Sequence, residues 1–250
     1  GTINSTVLTA EYAKQHNINV KGIILNNYDE TDFMQIDNKK QVEALTDVKV
    51  VATVKKEDKE IKNVLQPDWT TLKEQNANII GWLYVPDCEI SFPVLQAKDN
   101  EYYVHRTYDL SSDTSKAGSI FMDYRMADDF SSPYSIIYGH NVRDGSMLSD
   151  LARLKDQTLY DEEPYFWILT PDGNYRYQIF SIFQCHRSAD VFQRSFDSWG
   201  EDFSKWQNEL KLRNSMQGDV ELEEKGHVIA FSTCVPNSFD RTIVCGKYLD

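Results

Sequence analysis

The sequence predicts a mainly β protein with helices: an eight-stranded barrel with a long surface helix, behind an amino-terminal α/β segment. Three observations carry that reading. Short β-like runs separated by turn signals recur from Trp69 onward; one stretch among them spaces its aromatics as a helix does; and the first 65 residues instead alternate helical stretches with continuous apolar strands.

In the first segment, Ser5–His16 reads as a helix, Val20–Leu25 as a strand, Ile36–Leu45 as a second helix and Lys49–Val54 as a second strand. Apolar strands alternating with helices are buried on both faces, which means a parallel pair. The charged run Lys55–Asn63 reads as a solvated linker or helix face, and Pro67 punctuates the chain just beyond it. Charge changes at the same place: residues 1–65 hold 9 Lys+Arg and 10 Asp+Glu, the remainder 17 and 29. Two domains are expected, 1–65 and 66–250.

The β-like runs of the second domain are Trp82–Val85, Ile90–Leu95, Gly118–Met122, Ser135–Tyr138, Phe166–Thr170, Tyr175–Phe183, Val228–Ser232 and Thr242–Cys245. Eight such runs suit a closed or nearly closed barrel. Ser198–Gln217 places Trp199, Phe203, Trp206 and Leu210 on one helical face, opened by a Ser198-x-x-Glu201 capping box. That stripe reads as core packing.

A net charge of −13 with no local basic run excludes a nucleic-acid backbone as partner. No apolar run approaches the roughly 18–20 residues that span a bilayer, so the chain reads as soluble and without an anchor. The four cysteines form no C-x-x-C pair, and the chain has no HExxH and no calcium loop, so neither metal nor cofactor is expected. Asp123, Asp128 and Asp129 read as a solvated acidic loop.

Two strand ends stand out. His140 closes the apolar run Ser-Ile-Ile-Tyr-Gly-His, and Cys234 closes Val-Ile-Ala-Phe-Ser-Thr-Cys; Arg241 opens the next strand, with six residues between it and the thiol. A hairpin of that length brings Cys234 beside Arg241. Cys88 and Cys245 read as packed thiols, and Cys185-His186 cannot form a dyad because neighbours on a strand face opposite ways. Thiol, imidazole and guanidinium together suffice for acyl transfer: nucleophile, proton carrier and oxyanion partner. With His140 and Cys234 lying 94 positions apart, spacing alone leaves open whether they meet.

From about Asp68 onward the chain carries ordered blocks: Ile80-Gly-Trp-Leu-Tyr-Val-Pro-Asp87 with Ile90-Ser-Phe-Pro-Val-Leu-Gln96, Gly118-Ser-Ile-Phe-Met-Asp-Tyr-Arg125, Ile136-Ile-Tyr-Gly-His-Asn141, Phe231-Ser-Thr-Cys234 and Arg241-Thr-Ile-Val-Cys-Gly-Lys247. In these blocks and their order it resembles class B sortases, cysteine transpeptidases of Gram-positive cell surfaces. The long helix before the Cys234 strand matches class B rather than class A, while the Val235–Asp240 connection is short for class B. The resemblance implies an eight-stranded sortase-type barrel, with Cys234 as nucleophile, His140 as general acid and base and Arg241 as oxyanion and backbone clamp. It also implies a peptide groove walled by Asn100, Val104, Val191, Phe192, Ser232 and Thr233. The implied substrate is a surface-protein sorting signal cut after Thr, the acceptor an amine of peptidoglycan or a pilin, and the location the outer face of the cell membrane, reached through an anchor absent from this chain.

Residues 1–62, with Gly22-Ile-Ile-Leu-Asn-Asn27, resemble the carboxy-terminal part of dethiobiotin synthetase, a P-loop ATP-dependent ligase; Asn26 falls where that family contacts the nucleotide base. No G-x-x-x-x-G-K-[ST] occurs in the 250 residues, so no ATP turnover is expected. Three other readings remain: a cysteine peptidase that only hydrolyses, a peptide-binding barrel without turnover, and a biotin-pathway ligase, disfavoured by the missing P-loop.

Overall fold

The computed structural model describes residues 2–16, 20, 23–28, 32–55, 67–86, 88, 90–143, 145–162 and 164–249. The chain forms two compact units, Gly1–Gln66 and Pro67–Asp250. In the first, helix α1 (Thr2–Gln15) and helix α2 (Phe33–Thr46) accompany strands β1 (Ile23–Tyr28) and β2 (Val50–Lys55), which pair in parallel. Asp32 caps α2 by accepting from Met34 N at 2.8 Å, and Lys14 Nζ donates to Thr46 O at its other end, where carbonyls lack partners. Strand β1 continues through Asn26-Asn27-Tyr28, past the point where its apolar run stops. Beyond Lys55, the charged run through Asn63 lies outside the described residues, and so does the side chain of Asn26.

The second unit opens with α3 (Trp69–Gln75), capped by Asp68, whose carboxylate accepts from Thr71 N at 3.1 Å. Strands β3 (Ile79–Val85), β4 (Ile90–Leu95), β5 (Ile120–Met122) and β6 (Tyr134–Tyr138) come next. A 3-10 segment (Ser149–Lys155) and α4 (Gln157–Glu162), neither expected from the sequence, lead to β7 (Tyr165–Thr170) and β8 (Gly173–His186). Helix α5 (Glu201–Leu212), β9 (Val228–Cys234) and β10 (Asp240–Leu249) complete it. The eight strands β3 to β10 close a barrel in the order β10-β8-β7-β3-β4-β5-β6-β9. Burial alternates residue by residue along β3, as a strand with one face on the core requires.

Helix α5 covers the barrel with Phe203, Trp206 and Leu210, all buried. It starts later than the sequence suggested. Gly200 is the N-cap and no side chain caps it, so Glu201 takes the first helical position rather than the third and cannot reach back to Ser198. The helix also stops at Leu212, because Asn214 Oδ1 accepts from Ile182 N at 2.9 Å and pulls the chain onto β8. Trp199, ahead of the helix, packs edge-on against His227. No described helix is long and apolar enough to cross a membrane.

Candidate active site

Parallel pairing closes the long gap between His140 and Cys234. Strands β6 and β9 run side by side with Tyr138 opposite Ser232, and Gly139 N extends the ladder to Ser232 O at 3.1 Å. Two residues further along each strand direction stand His140 and Cys234, at the same rim of the barrel. Strand β10 returns antiparallel on the other side of β9 and sets Arg241 opposite Cys234. All three side chains line one cavity of about 570 Å³.

Each is held by its neighbours. His140 Nε2 lies 2.9 Å from Val104 O. A carbonyl only accepts, so Nε2 carries the proton and Nδ1 is left to take or give one. Asn141 Nδ2 donates to Cys234 O at 2.9 Å, tying the two strand ends together. Arg241 Nη1 donates to Asp240 O at 3.0 Å. Two glycines are sterically required here. A Cβ at Gly139 would lie 2.6 Å from Leu148 Cγ; one at Gly118, where φ is +56°, would collide with the same Val104 carbonyl that holds His140.

Cys88 and Cys245 are set apart by burial, and Cys185, half-buried like Cys234, does not line the cavity. Cys245 is 0% exposed and burial raises its pKa; burial likewise pushes Cys185 up to about 11; Cys88 is buried, its Sγ 3.4 Å from Asp150 O. Cys234, half-buried, is the thiol that faces the cavity.

Of the six residues expected to wall a groove, Asn100, Val104, Phe192, Ser232 and Thr233 line this cavity. Val191 does not, which corrects that expectation: it is 0% exposed in the core, and its carbonyl accepts from Tyr134 OH at 3.2 Å. Both residues sit on a 3-10 turn (Asp190–Phe192), where successive side chains diverge by a third of a turn, so Phe192 on the cavity sends Val191 inward. Thr233 Oγ1 is buried and has no hydrogen-bond partner among the described residues.

The acidic-loop reading of Asp123 is also overturned. Its side chain is 0% exposed and accepts from Arg125 Nε at 2.9 Å, Arg125 Nη2 at 2.8 Å, Asn100 Nδ2 at 2.9 Å and Tyr138 OH at 2.9 Å. Burial opposes its ionisation, but the hydrogen bonds led by Arg125 outweigh that and hold the carboxyl below the usual range. Burial, reinforced by the Asp123 charge, raises the Tyr138 phenol. Asp123, Arg125 and Tyr138 all line the cavity, and none was expected there from sequence. The readable signal was a carboxylate directly after the buried strand Ile120–Met122 with an arginine two positions on. Among the described residues no group of His, Cys, Asp or Glu could hold a metal ion.

A sortase B of Listeria monocytogenes is 32% identical over 198 residues, covering 79% of this chain and 79% of that protein. The chain belongs to the sortase B family. Its barrel accordingly superposes on the crystal structure of Clostridium perfringens sortase B with a TM-score of 0.67 at 25% identity, covering 72% of this chain and 99% of that one. A sortase B solved in complex with triglycine gives 0.65 at 26% identity, over 72% of this chain and 85% of that one. The family makes this a sortase-type cysteine transpeptidase. Residues 1–62 match a family described as AAA domain. Over 50 residues this segment is 52% identical to the ATP-dependent dethiobiotin synthetase of Clostridium botulinum, 20% of this chain and 22% of that enzyme. The match thus spans about a fifth of the length of that relative.

Proposed function

We propose that the chain cleaves a carboxy-terminal sorting signal after Thr, holds the acyl part as a thioester on Cys234 and passes it to an amine of peptidoglycan or a pilin at the cell surface. The observation that carries this reading is the convergence of Cys234, His140 and Arg241 on one cavity rim. The Cys234 thiolate attacks the Thr carbonyl carbon, and Arg241 faces the oxygen that gains charge. The carbon–nitrogen bond then breaks as protonated Nδ1 of His140 gives its proton to the leaving amine. In the second half, the acceptor amine adds to the thioester carbonyl, Nδ1 takes its proton, and the carbon–sulfur bond breaks to return the thiolate. The triglycine bound by the related sortase B supports a small amine as acceptor. Every residue in this scheme comes from the barrel unit.

The test is product partition. Incubating the full chain with sorting pentapeptides and triglycine should yield ligated amide at the expense of free acid. Acid alone would mean a hydrolase; no cleavage and no adduct on Cys234 would leave a binding barrel.

The scheme also makes Gly118 sensitive. Alanine there forces Val104 O away from Nε2 and strains a left-handed backbone, so His140 loses its anchor. Gly118→Ala should lower kcat for peptide cleavage on the order of 10- to 100-fold, as small misplacements of a proton carrier do. Unchanged kcat in a folded variant would mean that the Val104 contact does not position the ring.

A further inference from the structure

Three separate stretches of cavity wall meet at one ion pair, its carboxylate buried and its guanidinium partly exposed. Asp123 accepts from Asn100, which lies beyond β4, and from Tyr138 on β6. Arg125, held to Asp123 through Nε and Nη2, turns its remaining hydrogens outward: Nη2 donates to Phe192 O at 2.7 Å and Nη1 to Gln193 O at 3.2 Å. The Tyr138 ring stacks on Phe192, with centroids 6.4 Å apart. Tyr138 lies two residues before His140 in the chain, a backbone rise of roughly 6–7 Å.

We propose that the Asp123–Arg125 pair is the positioning element of the peptide groove, fixing Asn100, Tyr138 and the Phe192 wall in one arrangement and so setting affinity for the sorting peptide. The inference rests on the transpeptidase reading above and adds to it a pair of residues acting through others.

The physical argument is one of geometry. A planar guanidinium can bond a carboxylate on one edge and two carbonyls on the other at the same time; a lysine ammonium, a single point charge, cannot span both. The wall segment keeps independent ties on its far side, since Arg213 grips Asp190 through both terminal nitrogens at 2.7 and 2.8 Å and Tyr134 OH reaches Val191 O. Loss of the Arg125 contacts should therefore loosen the groove-facing end, Phe192 to Arg194, without unfolding the turn. Neither Asp123 nor Arg125 is needed for the thiol to react with a small electrophile.

The experiment compares Arg125→Lys and Asp123→Asn in the full chain with the unsubstituted protein. For Arg125→Lys we expect KM for the sorting peptide to rise about tenfold or more, kcat to change less than about threefold, and alkylation of Cys234 by iodoacetamide to stay within about twofold. Amide exchange at Gln193 and Arg194, whose N–H groups bond Asp190 O, should speed up about tenfold or more. Asp123→Asn should move the same readouts the same way; should it fail to fold, Arg125→Lys, which keeps the buried charge paired, decides. Unchanged KM, unchanged exchange, or an equal fall in alkylation and peptide turnover would each overturn the proposal. Absence of any peptide cleavage by the unsubstituted chain would overturn the transpeptidase reading, and the exchange measurement would still decide whether the pair holds the wall.

Discussion

Cys234→Ala should abolish peptide cleavage, lowering kcat/KM by at least ~10³-fold, because removal of the thiol that faces the cavity takes the whole covalent route with it. Cys88→Ala, Cys185→Ala and Cys245→Ala should each keep most of the activity. Stability separates the four differently from activity. Cys245 lies in the closed core, and removing its sulfur leaves a cavity costing on the order of 1 kcal/mol, whereas half-buried Cys234 opens onto the groove and should cost less. The expected pattern is therefore crossed: the inactive variant is the more stable one. Cleavage rates beside thermal melts check it. An active Cys234→Ala together with a folded but inactive Cys245→Ala or Cys185→Ala would move the nucleophile elsewhere.

The barrel was legible because its strands are short, apolar and punctuated: each of the eight sequence runs overlaps an observed strand, and Ile90–Leu95 agrees at both ends. Adjacency was not legible. Period-two patterns place residues on faces but do not say which strand lies beside which, so the placing of His140 and Cys234 on one cavity depended on the parallel β6–β9 pairing, a non-local fact. The Cys234–Arg241 pairing is local to a hairpin and could be read directly. Val191 and Asp123 failed for opposite reasons. On a 3-10 turn, two adjacent apolar residues give no sign of which one faces the groove. For Asp123, composition favours a solvated acid, and its burial is offset by partners that include Asn100 and Tyr138, positions far off in sequence. The Ser198-x-x-Glu201 box is a matching pattern set too early: Ser198 lies two residues before the N-cap Gly200, and Glu201 alone of the box is helical.

Arg241→Lys should lower kcat by ~10²-fold or more while leaving the shape of the pH–rate profile in place. The guanidinium already gives Nη1 to Asp240 O at 3.0 Å, with Phe239 O at 3.5 Å, which fixes the plane of the fork against its own strand. Its other nitrogens remain for the cavity that Arg241 lines, beside its cross-strand partner Cys234. A lysine keeps the positive charge but must choose between the Asp240 carbonyl and the developing oxyanion, and a donor missing from an oxyanion site costs on the order of 10²–10³ in rate. In the proposed scheme the proton that His140 carries moves between the reacting groups, so the pH–rate profile is a property of the thiol–imidazole pair. A substitution that preserves charge at Arg241 leaves the electrostatic field on the pair nearly the same, and the limbs should stay put while the plateau falls. KM should change little, since the contact strengthens only as the carbonyl oxygen gains charge. A profile displaced by a full pH unit with its height intact would assign Arg241 to tuning the thiol–imidazole pair instead, and the oxyanion role would then fall to another donor at the Cys234 rim.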